Sequence, residues 1–251
     1  MLVRDVLNWI DGLAPFETQD SFDNSGLLVG DPAWEVRGVH VAMDVTSSVL
    51  DEAIQNGANL IVTHHPMMFS ARKRLVETDS EARLLCRIIR HEIALIAAHT
   101  NLDQAPGGIN DVLARTIGLT NVSGEAYVRV GELSAPMTAE AFARQASEAL
   151  GSVVRLMGSP DREIRRVAVT SGAGSDSCKD ALALGVDAFL TGEAKHHHAL
   201  EAVEGGMVVL EAGHHATEEP GIFALADALQ NHLNALQYKI HVSKSTARPY
   251  C

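Results

Sequence analysis

Apolar residues recur at Val3, Val6, Leu7, Ile10 and Leu13, a spacing that lays one stripe along a helix over 3–14. Asn24 and Gly26 then mark a turn into a short strand at Leu27, Leu28 and Val29. Over 36–43 the apolar positions alternate, at Val39, Val41 and Met43, as in a strand. Thr46 and Ser47 offer caps for a helix over 49–56, with Gly57 near its stop. The short run 59–63 is continuous and apolar, a buried strand that ends at His64-His65-Pro66. Strand, helix and strand in that order imply a right-handed parallel unit. A helix over 79–91 carries Leu84, Leu85, Ile88 and Ile89, and a strand over 93–98 delivers His99. Gly107-Gly108 breaks the chain ahead of a helix at Ile109–Thr116.

The same order returns later. A strand at Arg166-Val167-Ala168-Val169 leads through Thr170-Ser171-Gly172-Ala173-Gly174-Ser175 into a helix over 176–184. The strand 186–191 lines up with 58–63, and Gly192-Glu193 stands where the first half has His64-His65. A helix over 195–203, a strand over 207–210 and a helix over 221–233 complete the match. Segments 36–118 and 165–233 therefore read as an internal duplication. The expected fold class is α/β, two pseudo-symmetric α/β lobes with a metal site in the cleft between them, near the strand ends. The lobes are 1–118 and 166–251, joined by a strand–helix–strand insert over 119–165 in which Thr138 caps the helix. The tail from Ser243 has no periodicity and reads as a mobile or contact arm.

Histidines and carboxylates gather where apolar runs end. His99 has Asp103 four positions on, His214 has Glu218 four positions on within Gly213-His214-His215-Ala216-Thr217-Glu218, and His64-His65 closes a third run. This polar stretch 213–218 reads as a turn leaving a strand. Three such clusters suggest one metal site fed by several strand ends. Imidazole with carboxylate suits zinc, manganese, iron or nickel, and the lack of nearby thiols disfavours a structural zinc site.

Composition narrows the classes. The 251 residues are 46% hydrophobic but only 4% aromatic, so the core is aliphatic. A formal charge of −12 works against binding a phosphate backbone through the outer surface and disfavours nucleic acid as a partner. Cys86, Cys178 and Cys251 show no paired spacing, which suits a reducing cytoplasm. The first residues lack a signal-peptide pattern, and no run approaches the roughly 18 apolar residues of a membrane span.

Thr63-His64-His65-Pro66, Thr100-Asn101-Leu102-Asp103, Gly108-Ile109-Asn110, Thr191-Gly192-Glu193 and the 213–218 stretch resemble the signatures of the GTP cyclohydrolase I type-two homologue family. It is also called the Ngg-one-interacting-factor-three-like family. The resemblance spans almost the whole chain and matches the compact form without a long central insert. It implies two α/β lobes, two divalent metal ions per chain and a homohexameric toroid. Carried over by position, the metal ligands are His64, His65, Asp103, His214 and Glu218, with His99 beside them.

Other residues carry weaker signals. His99 is the internal counterpart of His214, as a ligand or as a group behind the ligands. Glu193 is a candidate general acid/base, or a carboxylate favoured by a helix start. In Lys195-His196-His197-His198 the side chains fan around a helix, so a solvated face is the favoured reading, with His197 the best cleft candidate from the family pattern. The 170–175 stretch is a tight packing turn or a weak phosphate loop. His215 packs or supports the ligands.

The expected function is a dinuclear metal-dependent hydrolase on a small nucleotide-like or phosphorylated substrate, with Glu193 or His99 moving protons. GTP ring opening is one instance that the family name implies. The alternative is a non-catalytic metal-binding regulatory or interaction protein that forms a ring.

Overall fold

The computed structural model describes residues 1–248, in two compact units. One comprises Met1–Ala105 with the chain from Ile222 onward, and the other is Pro106–Gly221. In chain order the elements begin α1 (Val3–Leu13), β1 (Gly26–Val29), β2 (Gly38–Ala42), α2 (Ser47–Gln55), β3 (Leu60–Thr63), α3 (Ser80–Arg90), β4 (Ala94–Ala97) and α4 (Thr100–Gln104). They continue α5 (Ile109–Thr116), β5 (Thr120–Ser123), β6 (Arg129–Thr138), α6 (Ala139–Leu150), β7 (Arg155–Met157), β8 (Glu163–Thr170), α7 (Cys178–Ala183) and β9 (Ala188–Thr191). The last are α8 (His196–Glu204), β10 (Val208–Glu211), α9 (His214–Ala235) and β11 (His241–Lys244).

The first unit is built on a five-stranded sheet, ordered β1-β4-β3-β2-β11. β4, β3, β2 and β11 run parallel, and β1 is antiparallel at the edge. Strands β2, β3 and β4 are buried along their whole length, which explains their continuous apolar runs. Leu50, Ala53, Ile61, Leu84, Ile88 and Leu95 form one core of this unit. The helices start where local chemistry allows: Thr46 Oγ1 accepts the Val49 N–H, and Asp79 Oδ1 accepts the Ala82 N–H at 2.8 Å. α1 buries Val3, Val6 and Ile10, the stripe read from its periodicity.

The second unit holds a six-stranded sheet, ordered β5-β6-β8-β9-β10-β7. Its centre, β8-β9-β10, is parallel, and β6 and β7 flank it antiparallel. Period-two alternation separates two cores. Val167, Val169, Leu190 and Leu210 face Phe142 and Ala146 of α6, while Ala168, Phe189 and Val209 face Ala181 of α7 and Ala202 of α8.

Three expectations differ from the structure. Residues 119–165 are not a connecting insert: β5, β6 and β7 belong to the same sheet as β8–β10, and the second unit already begins at Pro106. An alternating strand declares its buried face but not its hydrogen-bonding partner. The tail is not an arm at its start, because Ser243 and Lys244 close β11 opposite His40 and Val41. Residues 249–251, Cys251 included, lie outside the described residues. The 213–218 stretch is not a turn; its last five residues form the opening of α9, which runs on through Pro220. Residues 100–104, after the strand that delivers His99, form the short helix α4.

Candidate metal centre

In the first unit, β3 and β4 are parallel neighbours with Thr63 opposite Ala97. Their C-terminal ends therefore lie side by side, and the residues just beyond them meet. His64 and His65 leave β3, and His99 precedes α4, which carries Asp103. The ring centroids of His64 and His65 are 5.0 Å apart, those of His64 and His99 5.1 Å, and those of His65 and His99 5.5 Å. One ring nitrogen from each of the three lies within 4.8 Å of the others. His64 Nε2 is also 3.5 Å from Asp103 Oδ1.

Each ring is held by its other nitrogen. His64 Nδ1 is 2.8 Å from the Ala98 carbonyl, His65 Nδ1 is 2.7 Å from Asp44 Oδ1, and His99 Nδ1 is 2.8 Å from Asp23 Oδ1. A carbonyl or carboxylate oxygen accepts, so Nδ1 carries the proton and donates. In the neutral ring the lone pair is then at Nε2. The same arrangement is what metal-ligating histidines show behind the metal.

Asp23 and Asp44 were not singled out in the sequence. The Asp23 side chain is shielded from solvent and accepts from the Thr100 N–H, the Thr100 hydroxyl and the Asn24 N–H as well as from His99. Burial alone raises its carboxyl, but the hydrogen bonds from His99 and Thr100 outweigh it and hold the group well below the usual carboxylate range. Asp44 lies just after β2, and the bond from the His65 N–H to the Met43 carbonyl, 2.9 Å, brings the two segments together. The only sequence signal for either was a carboxylate at a turn or strand end.

In the second unit, α9 opens with His214, and Glu218 stands one turn on, on the same face. His214 Nε2 is 3.1 Å from Glu218 Oε2, and its Nδ1 is 3.0 Å from Glu193 Oε1. Glu193 lies just after β9, so the candidate acid/base holds the ring of a candidate ligand. The backbone packs tightly here. A Cβ on Gly172 would sit 2.2 Å from Glu218 Oε1, and one on Gly192 would sit 2.5 Å from the Gly172 carbonyl. Gly172 also has φ +58, in the left-handed region. The Ser171 N–H donates to Asn110 Oδ1 and the Gly172 N–H to Thr217 Oγ1, so 170–175 is a packing turn whose first amides are already engaged.

The tract at the start of α8 stands apart. His196 and His197 are exposed, and His198 lies 3.3 Å from Asp176. None of the three joins a set of three or more closely spaced donors among the described residues. His215 is half-buried beside His214 in the first turn of α9.

The donor chemistry fits a divalent cation. Imidazoles with the lone pair at Nε2, together with carboxylates and no thiol, suit zinc, manganese, iron or nickel.

The family model described as Duf34/NIF3 (NGG1p interacting factor 3) matches residues 1–249. A relative from Clostridium acetobutylicum named GTP cyclohydrolase 1 type 2 homolog is 33% identical over 261 residues, covering 99% of this chain and 97% of the relative. A relative of the same name from Streptomyces coelicolor is 34% identical over 267 residues, covering 99% and 93%. Among solved structures, Staphylococcus aureus hypothetical protein SA1388 superposes with a TM-score of 0.95 at 31% identity, covering 100% of this chain and 99% of that one.

Proposed function

The chain belongs to the Duf34/NIF3 family, and on that premise we propose that it is a dinuclear metal-dependent hydrolase acting on a small nucleotide-like or phosphorylated substrate. The ligands are His64, His65, Asp103, His214 and Glu218. One observation carries the reading: His64, His65, His99 and His214 each place Nδ1 on an oxygen acceptor and so turn the lone pair to Nε2. A packing ring such as His40 can also place Nδ1 on an oxygen, and what sets His64, His65 and His99 apart is that they also bring ring nitrogens within 4.8 Å of one another. Two ions held by these five ligands draw on both halves of the chain. The duplication belongs to the same proposal, supported by the parallel three-strand centre of each sheet, and so does the cleft location expected from it.

A divalent ion, when bound, polarises a substrate oxygen and acidifies a water. The protein's own groups do the rest. Asp44, Asp23 and Glu193 fix ring orientation at His65, His99 and His214. Glu193 is 56% exposed in its side chain, so it also stands where a proton can be taken up or released. His99, backed by Asp23, is the second proton-handling group. The names of the relatives point to GTP as the first substrate to assay.

The test is metal content and stoichiometry for wild type and Glu218→Ala, then a panel of nucleotides and phosphoesters with zinc, manganese, iron and nickel. The expected result is two ions per chain, lost or halved in the variant together with turnover. Full activity in metal-free protein overturns the hydrolase. Bound metal with no turnover on any substrate leaves the non-catalytic metal-binding role. The homohexamer proposed with this reading is checked by the solution mass, expected at six chains.

A further inference from the structure

We propose that Phe22, Phe69 and the basic loop Arg72-Lys73-Arg74 form a recognition site for a flat aromatic ring carrying a phosphate or similar anion, beside the imidazole cluster of the first unit. The site deepens the hydrolase reading and rests on it only for the chemistry after binding.

Two large rings stand exposed where a folded chain would ordinarily bury them. Phe22 is 59% exposed and Phe69 is 50% exposed, and their centroids are 6.0 Å apart. A specific tie rather than general collapse brings them together: Asn24 Nδ2 donates to the Met68 carbonyl at 2.7 Å and joins the 22–25 turn to the loop after β3. The same turn serves the imidazoles. Asp23 holds His99, and Ser25 Oγ accepts the His99 N–H at 3.1 Å. Phe69 meets the His99 ring edge-on, 6.2 Å between centroids. One short turn thus fixes an aromatic platform and the proton-handling His99 ring in register.

Charge supplies the second half. Arg72-Lys73-Arg74 is the only run of three consecutive Lys or Arg residues in a chain of net charge −12. With Phe69, Met67, Ser70 and Thr78, and with the carboxylates of Asp79 and Glu81, these residues line a cavity of about 700 Å³, large enough for a nucleotide-sized molecule. Arg72 is committed to Asp79 at 3.1 Å and to Glu81. Lys73 and Arg74 are exposed and take part in no ion pair among the described residues. Lys73 is therefore available to an anion, Arg74 shares its field with the Asp79 carboxylate, and Arg72 with its carboxylates holds the loop. A solvated basic loop alone needs no aromatic neighbours, and an aromatic pair alone needs no cations. Their conjunction beside His99 selects a ring with an anionic tail over either an apolar compound or a bare anion.

The experiment is titration calorimetry on the full chain, metal-loaded and metal-depleted, with AMP, adenosine and inorganic phosphate as probes. AMP is expected to bind saturably, with adenosine and phosphate each weaker by about ten-fold or more. Phe69→Ala is expected to weaken AMP roughly ten-fold, and Phe69→Tyr to restore it, since stacking needs only the ring. Lys73→Ala with Arg74→Ala is expected to weaken AMP by a similar factor and flatten its salt dependence, leaving adenosine unchanged. No saturable AMP binding to wild type, or equal AMP affinity in all variants, overturns the site. Metal content and turnover are read on the same samples. Metal-dependent turnover with AMP affinity indifferent to Phe69 removes this site and leaves the hydrolase standing. AMP binding through Phe69 without turnover supports this site while the hydrolase reading falls.

Discussion

His99 Nδ1 lies 2.8 Å from Asp23 Oδ1, across 76 positions of chain. The carboxylate turns the ring and fixes its tautomer, and it also receives the first amide of α4 through Thr100. Asp23→Asn keeps an acceptor for Thr100 but removes the charge behind His99. It is expected to lower turnover about 10- to 100-fold, with metal content and fold little changed, because His99 is a proton-handling group beside the five ligands. Turnover as a function of pH, alongside metal content and circular dichroism, checks this. Unchanged turnover means that His99 moves no proton in the reaction.

Gly172 leaves no room for a side chain under Glu218. Gly172→Ala places a methyl 2.2 Å from Glu218 Oε1 and 3.2 Å from His214 Nε2. The carboxylate must move, and metal content is expected to fall as in Glu218→Ala. Gly185→Ala is the control: its φ is +65, but nothing lies within 4 Å of the added Cβ. It should cost only the left-handed backbone strain, about 1–2 kcal/mol, and keep its metal. Equal metal content in both variants sinks the role given to Glu218.

Acid should destabilise the first unit through His40. Its ring is buried, with Nδ1 2.8 Å from Ser243 Oγ and Nε2 3.2 Å from Glu52 Oε2. Burial lowers its pKa from the ordinary 6.5 and outweighs the opposing pull of Glu52. The unfolded chain therefore takes up this proton first as pH falls. The stability from a neutral His40 is complete above about pH 6.5 and declines as pH drops towards the lower folded value. Glu52, also held below its ordinary value despite burial, by bonds from Ser245 and Thr246, adds a loss of the same sign at lower pH. Urea unfolding from pH 8 to 5 should show the decline, and His40→Gln should flatten it between pH 7 and 5.

Two substitutions around α6 separate capping from packing. Thr138 Oγ1 accepts the Ala141 N–H at 3.2 Å, and Thr138→Ala should cost about 1 kcal/mol. Phe142 is fully buried, and Phe142→Ala should cost about 3–5 kcal/mol. Chemical denaturation measures both. A small loss at Phe142 would mean that the surrounding residues collapse into the space.

What could be read along the chain was what local chemistry decides. The stripe of α1, the Thr46 and Thr138 caps and the boundaries of α5 come from spacing and side-chain hydrogen bonding within a few residues. So did the placement of His64, His65 and His99 after buried strands, because a continuous apolar run announces a parallel strand and its end. The four-residue spacing of His214 and Glu218 was visible too, but it was read as a turn. Pro220 suggested an interruption that α9 does not make.

The remainder depended on contacts between distant segments. Nothing near Asp23 in the chain points to His99, and nothing near Asp44 points to His65; antiparallel pairing of β1 with β4 brings the first pair together, and parallel pairing of β2 with β3 the second. The membership of β5–β7 in the second sheet and of β11 in the first was equally hidden, since a strand's own residues set its faces while its hydrogen-bonding edge accepts any extended partner. The sequence by itself determined the helices and strands whose apolar spacing or caps are local, and which side chains carry imidazole and carboxylate, but not the opening of α9 or the strand β11. Tertiary structure alone decided which nitrogen of each ring carries the lone pair, because that depends on an oxygen supplied from elsewhere in the chain.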